Sequence, residues 1–228
     1  MTRALLDNVI WAALTTRQAA LAEAAGDARR FMPEISILAG IAEPTAQSYA
    51  SLAELCPPGE RVALWDTRPH QAQPGWEVVA AAPLFQMIQE SPQKKDDRPS
   101  PEIHILSSTD VPEMLALTHL TKPGPFNSRT HELGLYLGIR VDGQLVAMCG
   151  ERLKVPGYAE MSAICTHPDH TGKGYAGLLM QEVGRQMIAR GDTPILHVRQ
   201  DNTRAIAVYE RMNFRVCARL NFAVIRRV

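Results

Sequence analysis

The chain has 228 residues, with 24 basic and 24 acidic side chains, 46% hydrophobic and 21% charged content. That is room for one large domain or two small ones with a real core. Nine basic and twelve acidic residues precede Glu102 and fifteen and twelve follow from it, so neither part is a polyelectrolyte and a nucleic-acid backbone is not an indicated partner. Four widely spaced cysteines, Cys56, Cys149, Cys165 and Cys217, form no CxxC pair. They read as reduced thiols of a cytoplasmic protein, not as a disulfide scaffold or a zinc site. His167 and His170 flank Pro168-Asp169 without a second ligand cluster, so no metal is expected. The opening stretch is broken by Asp7, Asn8 and Arg17, unlike a signal peptide, and no apolar run approaches the roughly 20 residues that span a bilayer.

In chain order, the Ala-rich run Thr16 to Ala25 predicts a helix stopped by Gly26. Ile35 to Ala39 predicts a short strand, Pro44 opens a helix running to about Leu55, and Arg61 to Trp65 and Trp76 to Ala81 read as strands. The stretch SPQKKDDRPSP, residues 91–101, has three prolines, five charges and no large apolar residue. It reads as a linker between an α/β region at 1–90 and a domain at 102–228. No Gly-rich loop or catalytic constellation precedes it, so the first region is expected to make no cofactor contacts. On this reading a chain beginning near Ser100 keeps the ligand site.

The second part begins with a strand at Ile103 to Leu106. Thr109-Asp110 caps a helix with Pro112 in its first turn, and the loop TKPGPFNS follows. Leu135 to Val141 and Gln144 to Leu153 form a hairpin around Asp142-Gly143, a strong two-residue turn signal. Tyr158 to Thr166 is a strand, Gly174 to Arg190 a helix ended by Gly191, Ile195 to Val198 a strand, Asn202 to Met212 a helix, and Phe214 to Arg227 the last strand.

Between the strand YAEMSAICT and the following helix lie Thr171, Gly172, Lys173, Gly174, Tyr175 and Ala176. Small residues let a ligand approach the backbone, and the free N–H groups of the first helical turn, with the helix dipole, attract an anion such as a pyrophosphate. Gly172, Gly174 and Gly177 also satisfy the dinucleotide pattern GxGxxG, with Asp201 after the next strand. However, fewer than 60 residues remain for a Rossmann domain, and the preceding strand alternates apolar and polar residues, unlike a doubly covered parallel strand. Further on, Asn202, Ala205 and Tyr209 share one helix face.

Together these segments resemble the GNAT superfamily of N-acyltransferases. The family loop [Q/R]-x-x-G-x-[G/A] is matched by Thr171-Gly172-Lys173-Gly174-Tyr175-Ala176, and the family pattern N-x-x-A-x-x-x-Y-x-x-x-G-F by Asn202, Ala205, Tyr209, Asn213 and Phe214. The stretch ICTHPDHTGKGYA further resembles the C-terminal halves of glycine N-acyltransferase-like proteins. Thr171 stands where the family has Arg or Gln, which removes a side chain but not the backbone cradle. Asn213 stands where it has Gly, and Asn tolerates the left-handed region.

The resemblance implies a mixed, mostly antiparallel twisted sheet flanked by helices, an α/β (α+β) fold, over about 102–228. The smaller N-terminal region then reads as a degenerate copy of that fold, or alternatively as a substrate-binding cap. It implies acetyl-CoA as co-substrate and direct acetyl transfer to a primary amine of a small molecule, amino acid or peptide; an acyl-CoA sensor or structural module without turnover is the alternative. Monomer and homodimer both stay open. CoA would be held by the loop Thr171 to Ala176, by Ile164, Cys165 and Thr166 along the strand, and by Asn202, Ala205 and Tyr209. Catalysis needs a neutral amine, an oxyanion donor and a proton for the departing thiolate. Glu160, eleven residues before Thr171, is expected as the base, with Glu151 and His131 behind it. Backbone N–H groups near Ile164 to Thr166 would be the donor and Tyr209 the acid. Cys165, on a buried strand, is expected to be inert. Within the loop TKPGPFNSRTHE, Phe126 is a candidate for contact with an apolar acceptor and Glu132 for an ammonium.

Overall fold

A computed structural model describes residues 3–71, 73–92 and 101–228, so the linker expected at 91–101 falls almost wholly outside the described residues. Helix α1 spans Val9–Thr15, strand β1 Ala22–Ala25, β2 Ala28–Phe31, β3 Ala39–Ile41, helix α2 Ala46–Leu55, β4 Arg61–Asp66 and β5 Trp76–Gln89. Then come β6 (Ile103–Ile105), α3 (Val111–Thr121), β7 (Tyr136–Val141), β8 (Gln144–Val155), β9 (Tyr158–Thr166), α4 (Tyr175–Ala189), β10 (Thr193–Arg199), α5 (Thr203–Arg211) and β11 (Phe214–Arg227).

Among the described residues the strands make a small sheet, β1-β2-β3, and an eight-stranded sheet in the order β4-β11-β5-β10-β9-β8-β7-β6. Every pairing in the large sheet is antiparallel except β9 with β10. The order does not respect a boundary at 91–101. Strand β5, from the first region, lies between β10 and β11, and β11, from the second, lies between β5 and β4. The pairing of β5 with β11 runs from Phe214↔Gln89 to Arg227↔Trp76. Residues 102–228 therefore do not close their own sheet, and the expected independence of that part gives way to a strand exchange.

Helix α4 shows how the core is made. Leu179, Val183 and Met187 recur at i, i+4 and i+8, forming one buried stripe. They pack with Leu137, Ala147, Cys149, Met161, Leu196 and Val198 on one sheet face, each fully buried large side chain worth about 1.5–3 kcal/mol. The opposite face is covered by α3, through Met114 and Leu117, and by α1. Helix α1 joins both regions, since Val9, Ile10 and Leu14 share a cluster with Trp65 and Leu84 and with Leu153, Val155 and Ile195.

The Ala-rich segment departs from its predicted helix. Its last four residues form β1, which pairs with β2 from Ala22↔Phe31 to Ala25↔Ala28 across the Gly26-Asp27 turn. Helical propensity there is overridden by sheet pairing, with Ala28 and Phe31 fully buried. The strand predicted at 35–39 forms later, as β3. No helix among the described residues is long and apolar enough to cross a membrane.

Candidate functional site

The parallel pairing of β9 with β10 covers only Thr193↔Tyr158, Pro194↔Ala159 and Ile195↔Glu160. Beyond it the two strands separate, leaving a wedge between Met161–Thr166 and Leu196–Arg199. The ladder of β9 with β8 is also interrupted. Its register shifts between Met148/Gly150 and Cys165/Ser162, and Ala163 sits at φ +52°. A bulge with a left-handed alanine costs about 1–2 kcal/mol and interrupts the β8–β9 ladder on the strand that borders the wedge. Nothing in the residue types of EMSAICT announces that bulge.

At the wide end of the wedge, Pro168–His170 form a turn of 3-10 helix, with His167 as its N-cap, before the glycine loop. Gly172 and Gly174 have φ +79° and +80°, and a Cβ on either would meet nothing within 4 Å. They are needed for the left-handed turn, not for internal packing. Gly174 is the N-cap of α4 and no side chain caps the helix, so the first-turn N–H groups that a helix leaves unpaired are offered outward. Thr171, Gly172, Lys173 and Gly174 are exposed and Tyr175 and Ala176 half-buried. The Thr171 hydroxyl donates to the Pro168 carbonyl at 3.0 Å. Lys173 Nζ lies 3.3 Å from His170 Nδ1, and the His170 ring stacks on Tyr175 with centroids 6.5 Å apart.

Helix α5 closes the site from the other side. Asn202 caps it, its side chain accepting from the Ala205 N–H at 3.2 Å. Asn213 takes φ +63° after it, the left-handed step that the family pattern assigns to glycine. Ala205, Tyr209, Ile164 and Tyr175 are all half-buried against the cluster that contains Cys149. Burial pushes the Tyr209 phenol above its ordinary 10, with the Cys149 thiol adding to the shift, so Tyr209 keeps its proton through the neutral range. Burial raises the Cys165 thiol to about 11, which leaves too little thiolate for a nucleophile.

Glu160, expected as the base, is buried and engaged on both oxygens. It is 0% exposed, and Arg152 donates to both of its oxygens, at 2.8 and 2.6 Å. His197 Nδ1 lies 2.6 Å from Oε1 and the Leu153 N–H donates to Oε2 at 3.3 Å. Burial alone pushes the carboxyl up, but Arg152 and then His197 outweigh it and hold it at about 2. A carboxylate so held has little affinity for an amine's proton near neutral pH. Glu151 is no substitute. Burial raises it, Lys154 and Arg190 more than reverse that, and both cations bond it directly. His131 Nδ1 is buried with no partner.

The loop expected to rim the acceptor side is docked on the first region. The Arg129 N–H donates to the Glu34 carbonyl at 3.0 Å, the Thr130 hydroxyl to that of Ile35 at 2.6 Å, and the Asn127 amide to that of Pro33 at 2.7 Å. Phe126, 8% exposed, packs edge-on against Tyr136 at 5.6 Å. Glu132 is held by Arg129 at 2.7 and 2.8 Å. Both are thus occupied within the protein. Sequence reading missed Arg152, His197 and Gln86, whose significance depends on strand neighbours far apart in the chain.

Comparison with known proteins bears on this arrangement. Residues 136–223 match the model of the family described as FR47-like protein. An acetyltransferase of Yersinia pestis is 29% identical over 124 residues, covering 50% of this chain and 86% of that protein. An acetyltransferase of Pectobacterium atrosepticum is 34% identical over 86 residues, 37% of this chain and 60% of the other. Among solved structures, a protein from Novosphingobium aromaticivorans described as a GNAT-family acetyltransferase aligns over 98% of both chains with 37% identity and a TM-score of 0.90. An N-acetyltransferase of Kribbella flavida aligns over 96% of both at 14% identity and a TM-score of 0.64, a likeness of fold alone.

Proposed function

The chain belongs to the GNAT acetyltransferase family, and from that premise we propose that it transfers an acetyl group from acetyl-CoA to a primary amine of a small molecule, amino acid or peptide, by direct attack in a ternary complex. The observation that carries the reading is the convergence of an uncapped, doubly left-handed glycine loop, a wedge that begins at Ile195↔Glu160, and Tyr209 beside that wedge. The residues fit the co-substrate. The N–H groups of Gly172 to Ala176 would hold its pyrophosphate, and Ile164, Cys165 and Thr166 would line its pantetheine arm, with Asn202 and Ala205 positioning α5 alongside. Acetyl-CoA supplies an activated thioester.

Each remaining step falls to the chain's own groups. Backbone N–H groups near the bulge at Ala163 donate to the developing oxyanion. Tyr209 gives its proton to the departing thiolate and regains one from the substituted nitrogen as the tetrahedral intermediate collapses to the amide, so one proton passes from nitrogen to sulfur overall. Because Glu160 and Glu151 are both committed to cations, the acceptor amine reacts as the neutral form drawn from its own equilibrium. That favours amines with pKa near 8 over those near 10.4. The test is a thiol-release screen with acetyl-CoA over amino acids, polyamines and peptides, alongside calorimetry with CoA and NAD(H). Turnover on an amine supports the reading, binding of CoA without turnover on any acceptor makes the protein a sensor, and heat with NAD(H) but none with CoA overturns the proposal.

A further inference from the structure

The fork of the wedge is held by something other than main-chain bonds. The β9–β10 ladder stops at Ile195↔Glu160, so beyond that point no backbone pairing fixes how far apart the strands stand. One side-chain bond crosses the gap there. Glu160 Oε1, on the last paired residue of β9, meets His197 Nδ1, two residues beyond the fork on β10, at 2.6 Å. Everything around this bond restrains it. Arg152 and Leu153 lie together on β8 opposite Glu160, where the register shifts between Glu151 and Lys154, and both donate to its carboxylate. Gln18, from the first region, bonds that irregularity on its other side, donating to the Arg152 carbonyl at 2.7 Å and accepting from the Lys154 N–H at 3.0 Å.

The ring's second nitrogen is held as well. Gln86, opposite His197 on β5, has its amide nitrogen 3.0 Å from His197 Nε2 and donates from the same nitrogen to the Leu6 carbonyl at 3.0 Å. A carbonyl can only accept, so Leu6 fixes which end of the Gln86 amide faces the ring. The amide's second hydrogen then makes Nε2 the acceptor and leaves the proton on Nδ1, where an ionised Glu160 needs a donor. Trp65 lies against both partners, 5.1 Å from the His197 ring and 5.1 Å from the Arg152 guanidinium. The group is closed to solvent, with side-chain exposures of 0% for Glu160, 2% for His197 and 13% for Arg152 and Gln86 1% exposed.

An apolar set of the same volume would hold these strands at least as firmly, because burying charges carries a desolvation cost of several kcal/mol per ion. What an apolar set would lack is a single defined distance between the strands. We propose that His197, Arg152 and Gln86 are positioning residues that clamp Glu160 across the fork and thereby set the width of the wedge for the pantetheine arm. This rests on the acyl-CoA reading above. It gives the first region a part in the site of the second, since Gln86, Leu6 and Trp65 all come from it.

Two substitutions at one position separate the clamp from plain stability. His197→Asn places an amide nitrogen where Nδ1 stands and keeps a donor to Glu160, whereas His197→Gln places its amide near Nε2 and loses that donor. CoA and adenosine 3′,5′-bisphosphate, which lacks the arm, are titrated into the full-length parent and both variants, with thermal melts alongside. Loss of a hydrogen bond to a charged group predicts a weakening of CoA binding by about ten- to a hundredfold in His197→Gln. Binding of the bisphosphate should stay within about twofold, and His197→Asn should resemble the parent on both ligands. Equal losses on the two ligands, or none, overturn the clamp. A parent that binds neither ligand overturns the acyl-CoA reading and the clamp with it. If His197→Gln does not fold, Gln86→Met decides: a severalfold loss confined to CoA supports the clamp, and unchanged CoA affinity overturns it.

Discussion

The molecule contains one construction twice. In the first region β3, α2 and β4 form a strand–helix–strand unit, and a single parallel bridge, Leu38↔Ala63, joins the residue before β3 to β4. In the second, β9, α4 and β10 form another, paired in parallel through Ile195↔Glu160 and its neighbours. The units differ at the turn into the helix. Helix α2 has Thr45 at its N-cap, whose hydroxyl accepts from the Ser48 N–H at 3.2 Å, and the turn from β3 contains no left-handed residue. Helix α4 begins at a left-handed glycine without a side-chain cap. The flank of the first unit differs too. Arg30 on β2 bonds its ladder partner Glu23 on β1 and reaches Glu60, just before β4, each at 2.6 Å, and the hollow lined by Arg30, Ile37, Glu60 and Val62 is about 30 Å³. Topology alone therefore does not make an anion site. The anion site proposed above lies where the turn leaves its amides unspent and the strands beside it part.

The largest effect is expected from removing the first region. A chain beginning at Ser100 lacks β5, leaving β10 and β11 without the strand between them, and it is expected to show no cooperative melt. A soluble fragment with a sharp transition and CoA binding would restore the independence that residues 91–101 suggested. Next in size is Tyr209, which belongs to a helix that the first unit does not carry among the described residues, the chain there leading from β4 to β5. Tyr209→Phe keeps the ring and its contact with Phe214. It should lower kcat by about 10²–10⁴-fold with an unchanged melting temperature. Undiminished turnover would remove Tyr209 as the acid.

At the loop, Gly174→Val forces a branched side chain into φ +80°. The strain of about 1–2 kcal/mol should fall mainly on the binding-competent turn, weakening CoA by about 5–30-fold. Calorimetry showing parent affinity would mean that the loop does not hold the ligand. Acid sensitivity distinguishes the fork. Glu160 titrates near 2 in the folded protein against 4.5 ordinarily, so its contribution to stability is present above about 4.5 and is lost as pH falls toward 2. Melts between pH 5 and 2 should descend less steeply in Glu160→Gln than in the parent, and parallel slopes would contradict the shift. The smallest effect is expected at the capped turn. Thr45→Ala should cost about 1 kcal/mol of stability and leave CoA affinity untouched.

What the sequence revealed follows the reach of the interactions involved. The Asp142-Gly143 hairpin, the Gly191 stop and the Asn202 cap depend on a few adjacent residues, and each lies where local chemistry put it, Gly143 and Gly191 with positive φ. The glycine loop, Ala205 and Tyr209 were readable for the same reason. Glu160 was placed on the correct strand, but its partners, Arg152, His197 and Gln86, come from three other strands, and strand order is not written in local pattern. The exchange of β5 and β11 was hidden similarly. GWEVVAAAPLFQMIQ reads as strand, and nothing within it says that its neighbours begin beyond residue 190.

That exchange also constrains how the chain comes into being. Strand β5 is synthesised more than a hundred residues before β10 and β11, which flank it in the finished sheet. During that interval both of its edges are open templates for other chains. The first region therefore does not complete its share of the sheet as it leaves the ribosome, and closure must wait for β11. A topology so rich in distant pairings folds slowly, and the nascent chain is exposed to aggregation for most of its synthesis.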